Sequence, residues 1–203
     1  MKDQFRVVIS MICLSLLSSC ADAESPQTQA AENDTSQADG KIVLGPAQWP
    51  DKSAKIHGRN GAEIGAIYAK NGTGGVLLRV QVSGLSEGWH GIHLHQIGDC
   101  SDRDAGFKAS GGHIDHDDKE HGLLNPNGSE LADIPNIYAN SDGQAVAAFF
   151  RTGVTLFHGD DTHTALIDDD GFAIVIHENP DDHLTQAIGG AGGRVACAAF
   201  TGE

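Results

Sequence analysis

The sequence predicts an all-β domain, an eight-stranded Greek-key β-barrel or sandwich, and three observations support this class. The chain of 203 residues contains 26 glycines, many of them beside Asn, Asp or Ser, in short segments that are typical of turns. Between these segments, apolar residues alternate with polar ones instead of following helical spacing. Seven or eight such runs within one domain are typical of a Greek-key fold.

The predicted strands follow one another along the chain. The clearest is Val76–Val82, in which every second residue is apolar and faces a core, while Arg79 and Gln81 face outward. The other strands are expected near Ala54–His57, Ile64–Ala69, Trp89–His95, Ala145–Phe149, Ala173–His177 and Arg194–Phe200. Turn residues separate them at 60–61, 71–75, 141–143 and 168–171.

Two long segments interrupt this regular spacing, Gln96 to Pro135 and Glu178 to Gly193. Both are rich in His, Asp and Gly, and each begins directly after a strand that ends in histidine. Loops of this length in a compact domain are usually functional or disordered. We therefore expect the functional residues in and beside these two loops.

The amino terminus has the features of an export signal. A short charged stretch precedes an apolar run from Val7 to Leu17, which is too short for a membrane span. The sequence Leu-Ser-Ser-Cys that ends at Cys20 resembles the lipobox of bacterial lipoproteins, in which the cysteine is acylated and becomes the new amino terminus. The alternative is an ordinary signal peptide, cleaved near residues 21–23, that leaves a soluble product.

These features divide the chain into three parts. Residues 1–19 are the predicted signal peptide, and residues 20–40 are the acylated cysteine and a flexible, acidic and polar tether without large apolar residues. Residues 41–203 have the length of one domain with one core. We expect a periplasmic or cell-envelope protein that is lipid-anchored to a bacterial membrane.

The net charge of −15 limits the partners of this domain. An acidic surface repels nucleic acid and anionic lipid, so we expect no nucleic-acid partner and contact with a membrane only through a lipid on Cys20. A homodimer is compatible with the sequence, which identifies no interface.

The cysteines indicate a disulfide. Cys13 leaves with the signal and Cys20 is assigned to the lipid, so only Cys100 and Cys197 remain. Two distant cysteines in an exported domain suggest a disulfide bond. Closing so long a loop stabilises a fold by roughly 4–5 kcal/mol in the chain-entropy model.

The histidines indicate a metal site. Strand alternation places His93 and His95 on one face, where two imidazoles can reach one ion. Taken alone, this pair is equally consistent with two surface histidines. Further candidate ligands follow at His113, His121, Asp133 and His177. Several nitrogen ligands with few thiols favour copper or zinc.

Together these segments resemble the copper/zinc superoxide dismutase family, in its bacterial exported branch. The resemblance runs in order from about Ile56 to Phe200 and is carried by His90–His95, Gly98–Cys100, Gly111–His113, His121–Gly122, Asp133–Asn136, His177 and Gly189–Cys197. It implies a copper site formed by His93, His95, His113 and His177. It also implies a disulfide between Cys100 and Cys197.

The resemblance implies roles for the neighbouring residues as well. His113 would bridge copper to a zinc ion that is also bound by His121 and Asp133. Asp181 would join His93 to His121 by hydrogen bonds, which fix the orientation of both rings. The catalytic residues would be Arg194, which holds superoxide beside copper, and His113, which leaves copper to take up a proton.

The sequence departs from the family where its third zinc histidine is expected, because Glu130 stands there. Three alternatives follow. Glu130 is a zinc ligand in a more negative and less zinc-selective site, or His116 substitutes for the missing histidine, or the zinc site is empty or labile and Glu130 is solvated. The loop 178–193 also lacks the lysine that would attract superoxide in many family members.

The function that the resemblance implies is dismutation of superoxide to oxygen and hydrogen peroxide at copper. The reaction would take place outside the cytoplasm and protect against oxidative stress. A copper-binding or copper-delivering lipoprotein of the same fold, with little dismutase activity, is the alternative. Glu130 and the absent lysine favour it, while Arg194 and Asp181 oppose it.

Overall fold

The structure is a computed structural model that describes residues 50–116, 118–159 and 162–202. The predicted signal peptide, Cys20 and the tether lie outside these residues. Within the described ranges, the structure contains no helix with the length and hydropathy of a membrane span.

The described residues form β-strands and two single-turn 3-10 helices. The strands are β1 Lys52–Gly58, β2 Glu63–Gly72, β3 Gly75–Val82, β4 Gly88–His90, β5 Ile92–His95, β6 Ile137–Ala139, β7 Ala145–Thr152, β8 Val154–Phe157, β9 Thr164–Ile167, β10 Phe172–His177 and β11 Arg194–Phe200. The 3-10 helices are Arg103–Ala105 and Lys108–Ser110.

Seven of the strands form one antiparallel sheet in the order β5-β10-β11-β1-β2-β3-β7. Two crossovers give it a Greek-key arrangement, because β7 pairs with β3 and β10 lies between β5 and β11. Strands β4 and β6 form a short antiparallel pair, and β8 and β9 form a parallel one. The predicted all-β class and Greek-key barrel are confirmed.

The core follows the predicted alternation. In β3, Val76, Leu78, Val80 and Val82 are buried, whereas Arg79 and Gln81 are only half-buried. Full burial of one such aliphatic side chain contributes about 1.5–3 kcal/mol.

The predicted strand Trp89–His95 is divided into β4 and β5 at Gly91. Its backbone leaves the strand direction and bonds with the end of β10 and with the second long loop: His177 N–H donates to Gly91 O at 2.8 Å, and Gly91 N–H donates to Asn179 O at 2.8 Å. A Cβ at Gly91 would lie 2.9 Å from the Ala191 Cβ. This close approach requires glycine at the break. Strands β6, β8 and β9 were not predicted.

The first long loop lies against β5 instead of extending into solvent. Ile114 N–H donates to Leu94 O at 3.0 Å, and Leu94 N–H donates to Ala132 O at 3.1 Å. Two isolated bridges continue this pairing, His95 with His113 and His93 with Asp133. The backbone thus brings residues that are distant in sequence to the two histidines of β5.

Candidate metal centre

Four histidines meet where β5, β10 and the first loop come together. His93 lies opposite Val175 of β10, and His177 ends that strand two residues later. The ring centroid of His93 is 4.3 Å from that of His113 and 4.9 Å from that of His177. The His95 ring centroid is 5.1 Å from that of His113. The predicted copper ligands are therefore neighbours in the structure.

One nitrogen of each of these rings is buried without a hydrogen-bond partner. These atoms are His93 Nδ1, His95 Nε2, His113 Nε2 and His177 Nε2. Ligand atoms of His93, His113 and His177 lie within 4.8 Å of one another, and His95 lies beside this group. Buried polar atoms are normally paired, so four unpaired imidazole nitrogens in one place fit a copper ion.

The other nitrogen of three of the rings donates to a fixed acceptor. His93 Nε2 donates to Asp181 Oδ2 at 2.9 Å. His95 Nδ1 donates to Gly111 O at 3.0 Å, and His177 Nδ1 donates to Gly192 O at 3.2 Å. In a neutral imidazole only one nitrogen carries a proton, so these bonds leave a lone pair on the unpaired nitrogen.

Burial keeps the rings of His93, His95 and His177 neutral. Burial lowers the pKa of His93 and His95, and it lowers the pKa of His177 to about 3, with the neighbouring His93 adding to the shift. Charged imidazolium is disfavoured where water is excluded. At neutral pH the rings therefore present lone pairs, as copper ligation requires.

A second group lies on the far side of His113. Its Nδ1 contacts Glu130 Oε1, and His121 Nδ1 lies 3.0 Å from the same oxygen. His121 Nδ1 is also 2.7 Å from Asp133 Oδ1, which has no hydrogen-bond partner. All four residues offer ligand atoms within 4.8 Å of one another. Two imidazoles and two carboxylates fit a zinc ion.

Burial and distance bear on two of the three alternatives for Glu130. Its exposed fraction is 7%, so the interpretation of Glu130 as a solvated residue is wrong. The predicted substitute His116 is exposed and is in none of the groups with ligand geometry among the described residues. Strand bridging explains the difference, because it brings the segment from Glu130 to Asp133 against β5 while His116 lies beyond the bridge.

The charges in this second group are strongly paired. Burial favours a neutral carboxyl, but hydrogen bonds with His113 and His121 outweigh it and lower the pKa of Glu130 to about 2. Burial likewise disfavours a charged His121, but its carboxylate partners raise its pKa to about 11. The Glu130 carboxylate is therefore ionised at neutral pH and available to a cation.

Asp181 connects the two groups. Its Oδ2 accepts from His93 Nε2, and its Oδ1 accepts from His121 Nε2 at 3.1 Å. The backbone N–H of His183 also donates to Oδ1, at 2.7 Å. Burial alone would raise the pKa of Asp181, but these donors hold it below its ordinary value. The predicted link between His93 and His121 is thus present in the geometry.

Gly189→Ala is expected to weaken binding of both copper and zinc by about 10–100-fold, the usual effect of losing a partner of a metal ligand. A Cβ there would lie 1.6 Å from Asp181 Oδ1 and displace the carboxylate. The matched control is Gly190→Ala, which has a similarly positive φ of +70° but open space around its Cβ. Chelator competition measures both affinities. Equal affinities for the two variants would contradict a positioning role for Asp181.

Arg194 begins β11 and lies opposite His177 in the register. Its Nη1 donates to Phe107 O at 2.7 Å and to Ser110 Oγ at 3.0 Å, and its Nη2 donates to Gly111 O at 2.8 Å. The sequence did not identify Phe107 or Ser110. Ser110 precedes the Gly-Gly-His motif, but a backbone acceptor such as Phe107 O leaves no signal in a sequence.

The predicted disulfide is confirmed. Cys100 and Cys197 are bonded, with 5.8 Å between their Cα atoms. Cys197 is fully buried in β11 and packs in a small cluster with Phe107 and Val175. The bond therefore ties the loop that holds Arg194 to the strand that carries it.

Comparisons with known proteins agree with this geometry. Residues 63–200 match the family model described as copper/zinc superoxide dismutase (SODC). Superoxide dismutase [Cu-Zn] from Caulobacter vibrioides is 44% identical over 146 residues, which cover 71% of this chain and 82% of that protein. Superoxide dismutase [Cu-Zn] 1 from Aquifex aeolicus is 35% identical over 74% of this chain and 88% of its own length.

A solved structure is similar as well. The double mutant of a SOD-like protein from Bacillus subtilis superposes with a TM-score of 0.69 at 32% identity, over 74% of this chain and 97% of that one. The sequence, the strand order and the cluster of histidines thus lead to one assignment. The chain belongs to the copper/zinc superoxide dismutase family.

Proposed function

We propose that this protein is an exported dismutase that converts superoxide to oxygen and hydrogen peroxide at a copper ion. The copper ligands would be His93, His95, His113 and His177. The observation that carries the proposal is the set of four buried imidazole nitrogens without partners, beside an anchored arginine. Zinc would be bound by His113, His121, Asp133 and Glu130.

Copper bound at these nitrogens supplies a one-electron couple that oxidises one superoxide and reduces a second. The contribution of Arg194 is to bind the anion. Its three hydrogen bonds to the first loop fix the guanidinium and use three of its N–H groups. The remaining N–H groups and the positive charge can hold a small anion near His177.

His113 is suited to hold a proton. Its Nε2 faces the other copper ligands, while its Nδ1 contacts Glu130. A proton taken up at Nε2 leaves the ring held from its other side. His113 can then return this proton to the reduced oxygen species while staying in place.

The cellular setting is part of the proposal. The sequence features of residues 1–40 support export and a lipid anchor on Cys20 in the bacterial cell envelope. The disulfide suits an oxidising compartment. There the enzyme would protect against oxidative stress, as a monomer or a homodimer.

Superoxide decay measured directly after rapid mixing tests the function. Protein loaded with copper should accelerate decay catalytically, and the copper-free protein should leave it at the background rate. Added zinc should increase or stabilise the activity if Glu130 completes the second site.

The variant Arg194→Leu separates catalysis from copper storage. It should bind copper with unchanged stoichiometry but lose about 10–100-fold in the rate constant for superoxide, because one charged anion contact is removed. Stoichiometric copper binding with background decay in the unmodified protein would overturn the proposal. The protein would then be a copper-binding or copper-delivering member of the family.

A further inference from the structure

The second metal group contains two buried carboxylates close to each other. Glu130 and Asp133 are 7% and 1% exposed, and both lie next to His121. Burying two ionised carboxylates together is costly unless positive charge accompanies them. His121, which lies between the two carboxylates, can compensate one of these charges, and a divalent cation compensates the other only after it has entered the site.

Arg151 lies beside this group, at the end of β7. Its Nη2 donates to the backbone oxygen of Glu130 at 3.2 Å, and its Nε is buried without a hydrogen-bond partner. Burial lowers the pKa of Arg151, and the nearby Asp133 carboxylate opposes that shift. Arginine keeps its proton at ordinary pH, so Arg151 places a fixed positive charge against the backbone of Glu130 and near Asp133.

The strand register places Arg151 on the inner side of the sheet. It lies opposite the buried Val76, and the alternate residues Ala145 and Phe149 on the same side of β7 pack in or against the core. Arg79 of the neighbouring strand lies opposite the exposed Ala148, on the outer side.

We propose that Arg151 is an internal counter-charge that stabilises the two-carboxylate site before a divalent cation binds. This inference rests on the proposed role of Glu130 as a ligand. The guanidinium attracts the carboxylates whether or not the cation is present, but it repels the cation itself. It should therefore stabilise the metal-free protein and weaken zinc binding. The site would then stay folded without zinc, and bound zinc could dissociate from it.

The variant Arg151→Gln tests the inference, because stability of the metal-free protein and zinc affinity should change in opposite directions. A glutamine amide can still donate to the Glu130 carbonyl, so the substitution removes mainly the charge. We expect the melting temperature of the chelator-treated protein to fall by about 2–4 °C. We expect its zinc affinity, measured by chelator competition, to rise about fivefold, because a nearby like charge is removed.

Two controls accompany this variant. Arg151→Lys keeps the charge and should change zinc affinity by less than about twofold. Arg79→Gln removes the same charge from the outer side and should leave zinc affinity unchanged. A lower zinc affinity in Arg151→Gln would overturn the inference, because it would show that Arg151 only holds the loop in place.

Glu130→Gln separates this inference from the proposed function. If Glu130 is a ligand, its substitution lowers zinc affinity, and the gain from Arg151→Gln becomes smaller in the double variant. An unchanged zinc affinity in Glu130→Gln would overturn the proposed zinc ligand itself. A reduced affinity in Glu130→Gln, with no gain in Arg151→Gln, would overturn only the counter-charge.

Discussion

Replacing His93 with Ala is expected to abolish copper-dependent superoxide decay. Among the described residues, His93 is the one histidine that both faces the other proposed copper ligands through Nδ1 and bonds Asp181 through Nε2. Its loss removes a proposed copper ligand and leaves a fully buried carboxylate oxygen without its donor. We expect copper affinity and activity to fall by more than the roughly 10–100-fold that follows loss of a partner of a ligand.

The control for this variant is His116→Ala. His116 lies in the first long loop, close in sequence to His113, but is exposed and outside the metal groups, so copper content and decay rate should remain those of the unmodified protein. Thermal unfolding of both variants separates loss of a ligand from loss of the fold. Full activity in a folded His93→Ala variant would contradict the copper ligand assignment.

Removing the disulfide is expected to have the largest effect on stability. The bond spans 97 residues of chain, so its loss should lower the free energy of unfolding by about 4–5 kcal/mol in the chain-entropy model. The melting temperature should fall by roughly 8–20 °C, at 2–4 °C for each kcal/mol in a domain of this size. The double variant Cys100→Ser with Cys197→Ser avoids a free thiol and can be compared with the reduced protein by calorimetry.

The same variant should also lose activity beyond its loss of stability. The disulfide anchors the loop whose Phe107 and Ser110 accept from Arg194. With that loop released, the guanidinium loses its fixed position. Activity per bound copper should fall below that of the disulfide-bonded protein at a temperature where both are folded. A change in unfolding free energy below about 1 kcal/mol would contradict the chain-entropy argument.

Local patterns in the sequence predicted much of the barrel. Strand β3 shows why, because its alternation of apolar and polar residues is the direct result of one face being buried. The break at Gly91 depends on a contact with Ala191, which is about a hundred residues away in sequence. Strand β6 has three residues and pairs only with β4, so its local signal is too short to recognise.

The sequence predicted the residues of the candidate site that lie on a strand within a motif. It did not predict the positions of those that lie on a long loop. His93 and His95 share a strand, so alternation alone set their common face. The position of Glu130 depends on the loop returning to β5, and single-sequence patterns do not give that path. Arg151 belongs to no sequence motif, because its proximity to Glu130 depends on the register of the sheet.

The carboxylate of Asp181 makes the two metal groups thermodynamically reciprocal. A cation that fixes His121 also fixes the Asp181 carboxylate, which in turn aligns His93. A cation bound by His93 fixes His121 through the same two hydrogen bonds. Linkage then requires each metal to increase the affinity for the other by one common factor. With a coupling of about 3 kcal/mol, the upper end of what is typical of such linkage, doubly loaded and metal-free molecules would predominate at partial loading, and singly loaded intermediates would be scarce.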